Sequence, residues 1–198
     1  MLLQPEDIIA ILDLVPKRQQ TLDGYVPAAI LMIFFNKLNR THLAYIRRTR
    51  NMSLHSGQMA FPGGKIDPHD PSSRATALRE THEEIGLNGE DFRYLGEMGL
   101  FETLTSRYDA AAHLVWSLMP PQYVINPAEV AEVVEIPLAH LLRQFRPDLD
   151  FNDHHELMYL NFNYQPADSL NVANLWGLTA RITHHFLQGL YEYQRRRT

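Results

Sequence analysis

Residues 57–87 read GQMAFPGGKIDPHDPSSRATALRETHEEIGL, and this segment joins a glycine-containing loop to an acidic helix. Near its end, Glu80, Glu83 and Glu84 fall within five residues. At ~100° per residue, these carboxylates share roughly a 100° arc of one helical face. The other side carries residues suited to a core, namely Leu78, Thr81 and Ile85. The pattern therefore predicts a helix with one carboxylate face and one buried face.

Clustered carboxylates require a cation, because like charges at helical spacing destabilise a helix by about 0.2–0.5 kcal/mol per pair. Arg79 can neutralise one of the three. Hard oxygen ligands on a rigid element suit Mg²⁺ or Mn²⁺, and Mg²⁺ prefers a site that it shares with substrate phosphates. An ordinary solvated acidic face is the alternative. The preceding loop favours the metal site, with Glu80, Glu83 and Glu84 as ligands.

The loop before the helix offers a place for a phosphate group. Gly63 and Gly64 let the backbone approach a ligand closely, and Lys65 adds a positive charge beside them. Asp70, followed by a proline, predicts the start of the helix, because a short acidic residue caps a helix and proline fits its first turn. Gly86 predicts its end.

These residues resemble the Nudix box, usually written G-x5-E-x7-R-E-U-x-E-E-x-G-U, where U is a bulky aliphatic residue. The match comprises Gly64, Arg79-Glu80, Glu83-Glu84 and Gly86-Leu87. The chain departs from the pattern by one extra residue between Gly64 and Arg79, and Asp70 stands where the first glutamate would be. The resemblance implies an α/β/α sandwich with a mixed β-sheet, and diphosphate hydrolysis that depends on Mg²⁺ or Mn²⁺. Arg79 is then expected to anchor the carboxylates and the loop.

The departures themselves are similar to the coenzyme A pyrophosphatase branch, in which PGGK-x-D-x-x-D precedes TALRE. Arg48 falls where that branch carries its first arginine, whereas Ser53 occupies the position of the second. The resemblance implies hydrolysis of coenzyme A or its derivatives to 3',5'-ADP and phosphopantetheine. Arg48, Gly63, Gly64 and Lys65 are the expected substrate ligands. A Nudix hydrolase of another nucleoside diphosphate derivative and a non-catalytic nucleotide-binding module are the alternatives.

A second group of carboxylates lies in residues 126–138, NPAEVAEVVEIPL. Nudix enzymes often use a glutamate from this region to reach the metal ions or the attacking water. The resemblance therefore makes Glu132 the first candidate and Glu129 the second, while Glu83 is the other candidate for the general base. Glu135 is expected to decorate the surface.

The turn at Ser106-Arg107-Tyr108 loosely resembles a T-x-SGF segment of the branch, with arginine in place of glycine. Arg107 and Tyr108 are therefore candidates for contact with the adenine or phosphate end of a nucleotide, by stacking and charge. A plain exposed turn is the alternative.

Hydrophobic patterning predicts the remaining elements. Residues 25–35, YVPAAILMIFF, are too apolar for a half-exposed strand, which indicates a central strand that returns over residues 42–48 as a hairpin. We expect one domain over residues 1–198, in which residues 1–22 form a helical flank and residues 174–198 a C-terminal helix with Trp176 packed in the core. The other predicted elements are strands over 92–103 and 110–119, a short helix over 137–145 and a hairpin within 151–164.

The composition of the chain limits which kinds of ligand and partner it can have. The 198 residues carry a net charge of −5 and no cysteine, which argues against a nucleic-acid binder and excludes thiolate chemistry. The first residues lack the features of a signal peptide, and no window has the ~20 apolar residues of a membrane helix. The histidines lack zinc-site spacing. We therefore expect a cytoplasmic protein with a small nucleotide substrate and no membrane or nucleic-acid partner, and leave open whether it forms a homodimer.

Overall fold

The computed structural model describes residues 1–49, 57–149, 154–167 and 171–197, so Ser53 lies outside the described residues. The helices are α1 (Pro5–Leu12), α2 (Ser73–Ile85), α3 (Leu138–Leu142), α4 (His154–Tyr159) and α5 (Gly177–Arg195). The strands are β1 (Val26–Lys37), β2 (Arg40–Arg48), β3 (Met59–Ala60), β4 (Gly63–Lys65), β5 (Phe92–Glu102), β6 (Tyr108–Ser117), β7 (Val130–Pro137), β8 (Asn161–Tyr164) and β9 (Ala173–Trp176).

The main sheet is mixed, as predicted. Its strands follow the order β3-β2-β1-β6-β5, while β4 pairs with β1 and β7 pairs with β2. Only the β1–β6 pair is parallel among the strand pairs that the described residues form. The predicted hairpin of β1 and β2 is confirmed, with Ile33 opposite Ala44.

β1 is buried on both faces because it lies between two helical layers. Leu31, Ile33 and Phe35 belong to the core beneath α2, together with Ala77 and Ile85 of that helix. The alternating residues of the same strand face the other layer, where the Phe34 ring lies 4.8 Å from the ring of Phe186 in α5. That second core also receives apolar side chains of α1 and α3. Helices therefore cover both sides of the sheet.

The predicted start of the acidic helix at Asp70 is wrong. α2 begins at Ser73, and the Ser72 hydroxyl accepts a hydrogen bond from the Ala75 amide at 3.1 Å. The Asp70 carboxylate instead accepts from the Thr76 hydroxyl at 2.8 Å and from Arg79 at 3.0 Å. A charge-assisted pair is stronger than a neutral cap, so the serine takes the capping position.

The predicted end of the helix is confirmed. Gly86 adopts a left-handed conformation with φ of 75°, and its amide donates to the His82 carbonyl at 2.9 Å. Glycine takes this conformation without steric cost.

Two predictions near the C-terminus need correction. The alternating residues 161–164 do form a strand, but its partner is β9, and α4 precedes it where a hairpin within 151–164 was expected. The C-terminal helix begins at Gly177, since residues 174–176 belong to β9. Ala173 and Leu175 of that strand are buried, whereas Asn174 and Trp176 are exposed. Burial that alternates every second residue is typical of a strand, so residues 173–176 belong to β9 and not to the helix.

A group of ion pairs fixes the turn between β5 and β6. Arg181 of α5 donates to the Glu102 carbonyl at 2.6 Å and to its carboxylate at 3.0 Å. Arg18 donates to Glu102 at 3.1 Å and forms a very short pair with Asp109. The two carboxylates face each other across the strand pair, at the base of the turn. The chain before β1 and the helix α5 therefore hold residues 103–107 from both sides.

Among the residues that the structure describes, no helix has the length and hydropathy needed to cross a membrane.

Candidate active site

A cleft of about 900 Å³ opens where the glycine loop, the acidic helix and the start of α5 meet. Its charged lining residues are Arg48, Lys65, Glu80 and Glu129. The turn after β5 and the beginning of α5 complete its walls. This volume lies at the upper end of the range for small-molecule binding pockets.

Gly64 of the loop lies directly beside Glu80 of the helix. A Cβ atom built on Gly64 would lie 2.5 Å from the carboxyl carbon of Glu80. Any side chain at residue 64 would therefore displace the carboxylate. Burial raises the pKa of Glu80, and the nearby charges of Glu83 and Glu129 add to this shift while Arg79 opposes it.

Glu84 holds the glycine loop from beneath. It is only 1% exposed and accepts a hydrogen bond from the Gly63 amide at 3.0 Å. Arg48 donates to the other oxygen of Glu84 at 3.1 Å and to the Gly63 carbonyl at 3.3 Å. Burial raises the pKa of Glu84, although the charge of Arg48 opposes the shift. Arg48 thus lies at the loop, as predicted, and is shared between the cleft and this carboxylate.

Arg79 gathers three carboxylates. Its guanidinium lies 3.0 Å from Asp70, 2.8 Å from Glu80 and 3.0 Å from Glu83. The hydrogen bond from Arg79 lowers the pKa of Asp70 to about 2. This arrangement places Arg79 where the predicted anchor of the carboxylates and the loop would stand.

The two candidate glutamates, Glu132 in β7 and Glu129 in the loop before it, lie on different sides of the sheet. Glu132 stands opposite Arg47 in the β2–β7 register, and the two side chains form an ion pair of 2.6 Å. Arg47 and Arg48 are neighbours in a strand, so their side chains point to opposite faces. Glu132 therefore lies on the face away from Glu84, whereas Glu129 lines the cleft. Asn126 orients Glu129 through a hydrogen bond of 3.2 Å.

Tyr108, the first residue of β6, lines the cleft together with residues 103–106 of the turn before it, whereas Arg107 does not line it. Lys65 places its ammonium 5.7 Å from the centre of the Tyr108 ring, within cation–π distance. Arg107 is exposed and has a positive φ of 53°, a conformation that glycine adopts more easily. The structure thus separates two residues that the sequence grouped.

Sequence reasoning missed the apolar side of the cleft. Trp176, Leu178 and Met158 line it, although Trp176 was expected in the core. The alternation of Ala173 and Leu175 with exposed neighbours was the signal that placed Trp176 outward.

The residues present fit a divalent cation. The donors are carboxylate oxygens, the chemistry that Mg²⁺ and Mn²⁺ prefer, and the absence of a side chain at Gly64 lets the Glu80 carboxylate lie beside the loop. Within the described residues, however, no group of three such side chains is arranged so that it could hold a metal ion. In this arrangement Glu80 and Glu83 are paired with Arg79, and Glu84 is paired with Arg48.

Comparison with known proteins gives consistent matches. A family model described as the NUDIX domain matches residues 25–160. A Nudix hydrolase NudL of Photorhabdus laumondii is 33% identical over 182 residues, covering 89% of this chain and 91% of its own length. A probable Nudix hydrolase of Schizosaccharomyces pombe is 30% identical over 163 residues, covering 82% of this chain. The match spans only 55% of that relative's length.

Solved structures show the same fold. A MutT protein from Methanosarcina mazei aligns with a TM-score of 0.51 and 17% identity over 90% of this chain and 99% of its own. A MutT/nudix family protein from Enterococcus faecalis aligns with a TM-score of 0.55 and 13% identity, over 90% of this chain and 66% of its own. These likenesses confirm the predicted α/β/α fold.

Proposed function

Since the chain belongs to the Nudix hydrolase family, we propose that it hydrolyses the diphosphate linkage of coenzyme A or its derivatives. The products are 3',5'-ADP and phosphopantetheine or its acylated form. The observation that carries this proposal is the position of the Glu80 carboxylate beside Gly64, where a Cβ atom would overlap it, at the charged end of a large cleft. The arginine at residue 48 and the PGGK segment favour coenzyme A through their resemblance to that branch.

Glu80, Glu83 and Glu84 would hold Mg²⁺ or Mn²⁺. A metal ion bound there lowers the pKa of water and neutralises negative charge on the diphosphate. Arg79 orients two of these carboxylates, because its guanidinium contacts Glu80 and Glu83 at once. Glu84 and Arg48 fix the glycine loop against the helix.

The remaining groups divide into substrate ligands and a proton acceptor. Lys65 is exposed at the cleft and offers a cation to the phosphates, and Tyr108 beside it offers a ring face. Glu83 and Glu129 are the candidates for the general base, since Glu129 lines the cleft and Glu83 lies on its acidic helix. Glu132 would influence the site only indirectly, through its ion pair with Arg47.

The proposal is tested by incubating the protein with coenzyme A and Mg²⁺ and measuring 3',5'-ADP by chromatography. We expect metal-dependent release of this product, and faster turnover than with ADP-ribose, NADH or dinucleoside polyphosphates. Preference for one of those substrates would reject coenzyme A as the substrate but keep the diphosphate hydrolysis of the family. Ser53, which stands where the branch carries its second arginine, favours this outcome. Absence of hydrolysis of every diphosphate would favour a non-catalytic nucleotide-binding module.

The catalytic role of the acidic helix is tested by Glu83→Gln. Removing a ligand or base should lower kcat by a factor of about 100 or more, while the melting temperature changes little because Glu83 is exposed. Glu90→Gln is the matched control, since Glu90 is exposed and lies outside the cleft lining. Near-full activity of Glu83→Gln would exclude the helix as the catalytic element.

A further inference from the structure

One side of the cleft is apolar and open. The large side chains on this side are Leu104, Met158, Trp176, Leu178 and Ile182. Trp176 is 48% exposed and Met158 is 61% exposed. Exposed apolar groups gathered in one concave surface commonly mark a binding site.

The exposure of Trp176 follows from the strand register. Leu175 packs in the core and Trp176 follows it, so the indole must point outward from β9. Thr179, three residues later, donates its hydroxyl to the Met59 carbonyl at 3.1 Å. Arg47 donates to the Val172 carbonyl at 3.2 Å just before β9. Both ends of this segment are thus tied to the main sheet, and Trp176 is presented on a fixed wall.

Charge and apolar surface are separated within the cleft. The four charged residues of the described lining come from the glycine loop, from the end of β2, from α2 and from the segment before β7, and none comes from α4, β9 or α5. A diphosphate therefore has partners on one side only. The opposite side offers mainly apolar contact, since the Thr179 hydroxyl there already donates to the Met59 carbonyl. A ligand that fills both sides must carry a charged part and an apolar part.

We propose that the apolar side of the cleft binds the acyl chain of a coenzyme A thioester, with Trp176, Leu178 and Leu104 as specificity-determining residues. This inference rests on the proposed function for the position of the diphosphate. The chain of an acyl thioester is uncharged and flexible, and it lies at the far end of the molecule from the adenosine. Burial of its methylene groups against these side chains lowers KM for longer chains.

The test compares coenzyme A with octanoyl-coenzyme A. For the wild-type protein, we expect kcat/KM for the octanoyl thioester to exceed that for coenzyme A by about tenfold or more, mainly through KM. Trp176→Ala and Leu178→Ala should reduce this ratio by about tenfold, and Trp176→Phe should retain most of it. Met119→Ala is the control, because Met119 is 74% exposed and lies outside the cleft lining. Circular dichroism verifies the fold of each variant.

Binding without turnover separates this inference from the proposed reaction. Dissociation constants of both ligands are measured in excess chelator, so that no hydrolysis occurs. If coenzyme A is not hydrolysed but the octanoyl thioester still binds more tightly in a Trp176-dependent way, the reaction is wrong and the apolar site stands. If the two ligands bind and react alike, the inference is overturned. It is also overturned if Trp176→Ala weakens both ligands equally, because Trp176 would then contact a shared part such as the adenine.

Discussion

Gly64 lies beside Glu80 of the acidic helix, and its lack of a side chain makes room for that carboxylate. We predict that Gly64→Ala lowers kcat/KM by about 10- to 100-fold, because the new Cβ would overlap the carboxylate and move it. The loss of stability should be small, because the atoms that must move are the far end of the flexible Glu80 side chain. Steady-state kinetics and denaturant unfolding measure the two effects.

Gly89→Ala serves as the matched control for Gly64→Ala. A Cβ on Gly89 would lie 3.8 Å from the nearest atom of Leu78, which is an ordinary contact. Its activity and stability should remain close to those of the wild-type protein. Equal losses in both variants would show that the effect at residue 64 is unrelated to Glu80.

Arg107 holds a left-handed conformation that costs a non-glycine residue about 1–2 kcal/mol. Arg107→Gly removes this strain but increases the entropy of the unfolded chain, so we predict a net gain of up to about 1 kcal/mol in the free energy of unfolding. Arg107→Ala removes the same charge and keeps the Cβ, so it should bring no gain. Urea denaturation of both variants measures the difference, and a gain in Arg107→Ala would assign the effect to the side chain.

At the scale of elements, the pairing of β2 with β7 decides which glutamate reaches the cleft. Glu132 faces Arg47, which in turn holds the Val172 carbonyl before β9, while Glu129 lines the cleft. We predict that Glu129→Gln lowers kcat by about 100-fold or more as the loss of a proton acceptor. Glu132→Gln should change kcat by less than about threefold and cost about 1 kcal/mol of stability. Single-turnover kinetics in saturating Mg²⁺ compare the two variants.

A larger loss of kcat in Glu132→Gln than in Glu129→Gln would favour Glu132, the first candidate from the sequence. If Glu132→Gln loses catalysis and Glu129→Gln keeps it, the β7 glutamate acts in the reaction from a different conformation. If neither variant affects kcat, Glu83 remains as the candidate base.

The elements that the sequence predicts well are those whose signal is local. The spacing of apolar residues within α2 and the apolar run of β1 depend only on neighbours in the chain, and Gly86 ends its helix through its own backbone. The sequence predicts a cap at Asp70 because it does not show that this carboxylate pairs with Arg79 nine residues later. The choice between Glu129 and Glu132 depends on a strand register with a bulge beside Arg47, which no local pattern encodes.

At the scale of the whole molecule, the layered fold buries histidines that the sequence leaves without a role. His113 of β6 is 2% exposed, between the Tyr94 hydroxyl at 3.0 Å and the Ser73 hydroxyl at 3.0 Å. These two hydroxyl groups satisfy the hydrogen bonds of a neutral imidazole ring, and the positive charge of the nearby Arg74 disfavours protonation of that ring. Burial first, and then Arg74, lower the pKa of His113 from 6.5 to about 4.

The lowered pKa of His113 predicts how stability depends on pH. Between pH 6.5 and about 4, the unfolded chain binds a proton at this residue that the folded chain does not, so the free energy of unfolding falls as the pH falls. His113→Gln keeps groups that can bond to both hydroxyls but cannot be protonated in this range. The slope of unfolding free energy against pH should therefore be shallower in this variant, as measured by urea denaturation at several pH values. His69→Gln is the control, because its side chain is 96% exposed, and a slope unchanged by His113→Gln would show that other groups govern acid unfolding.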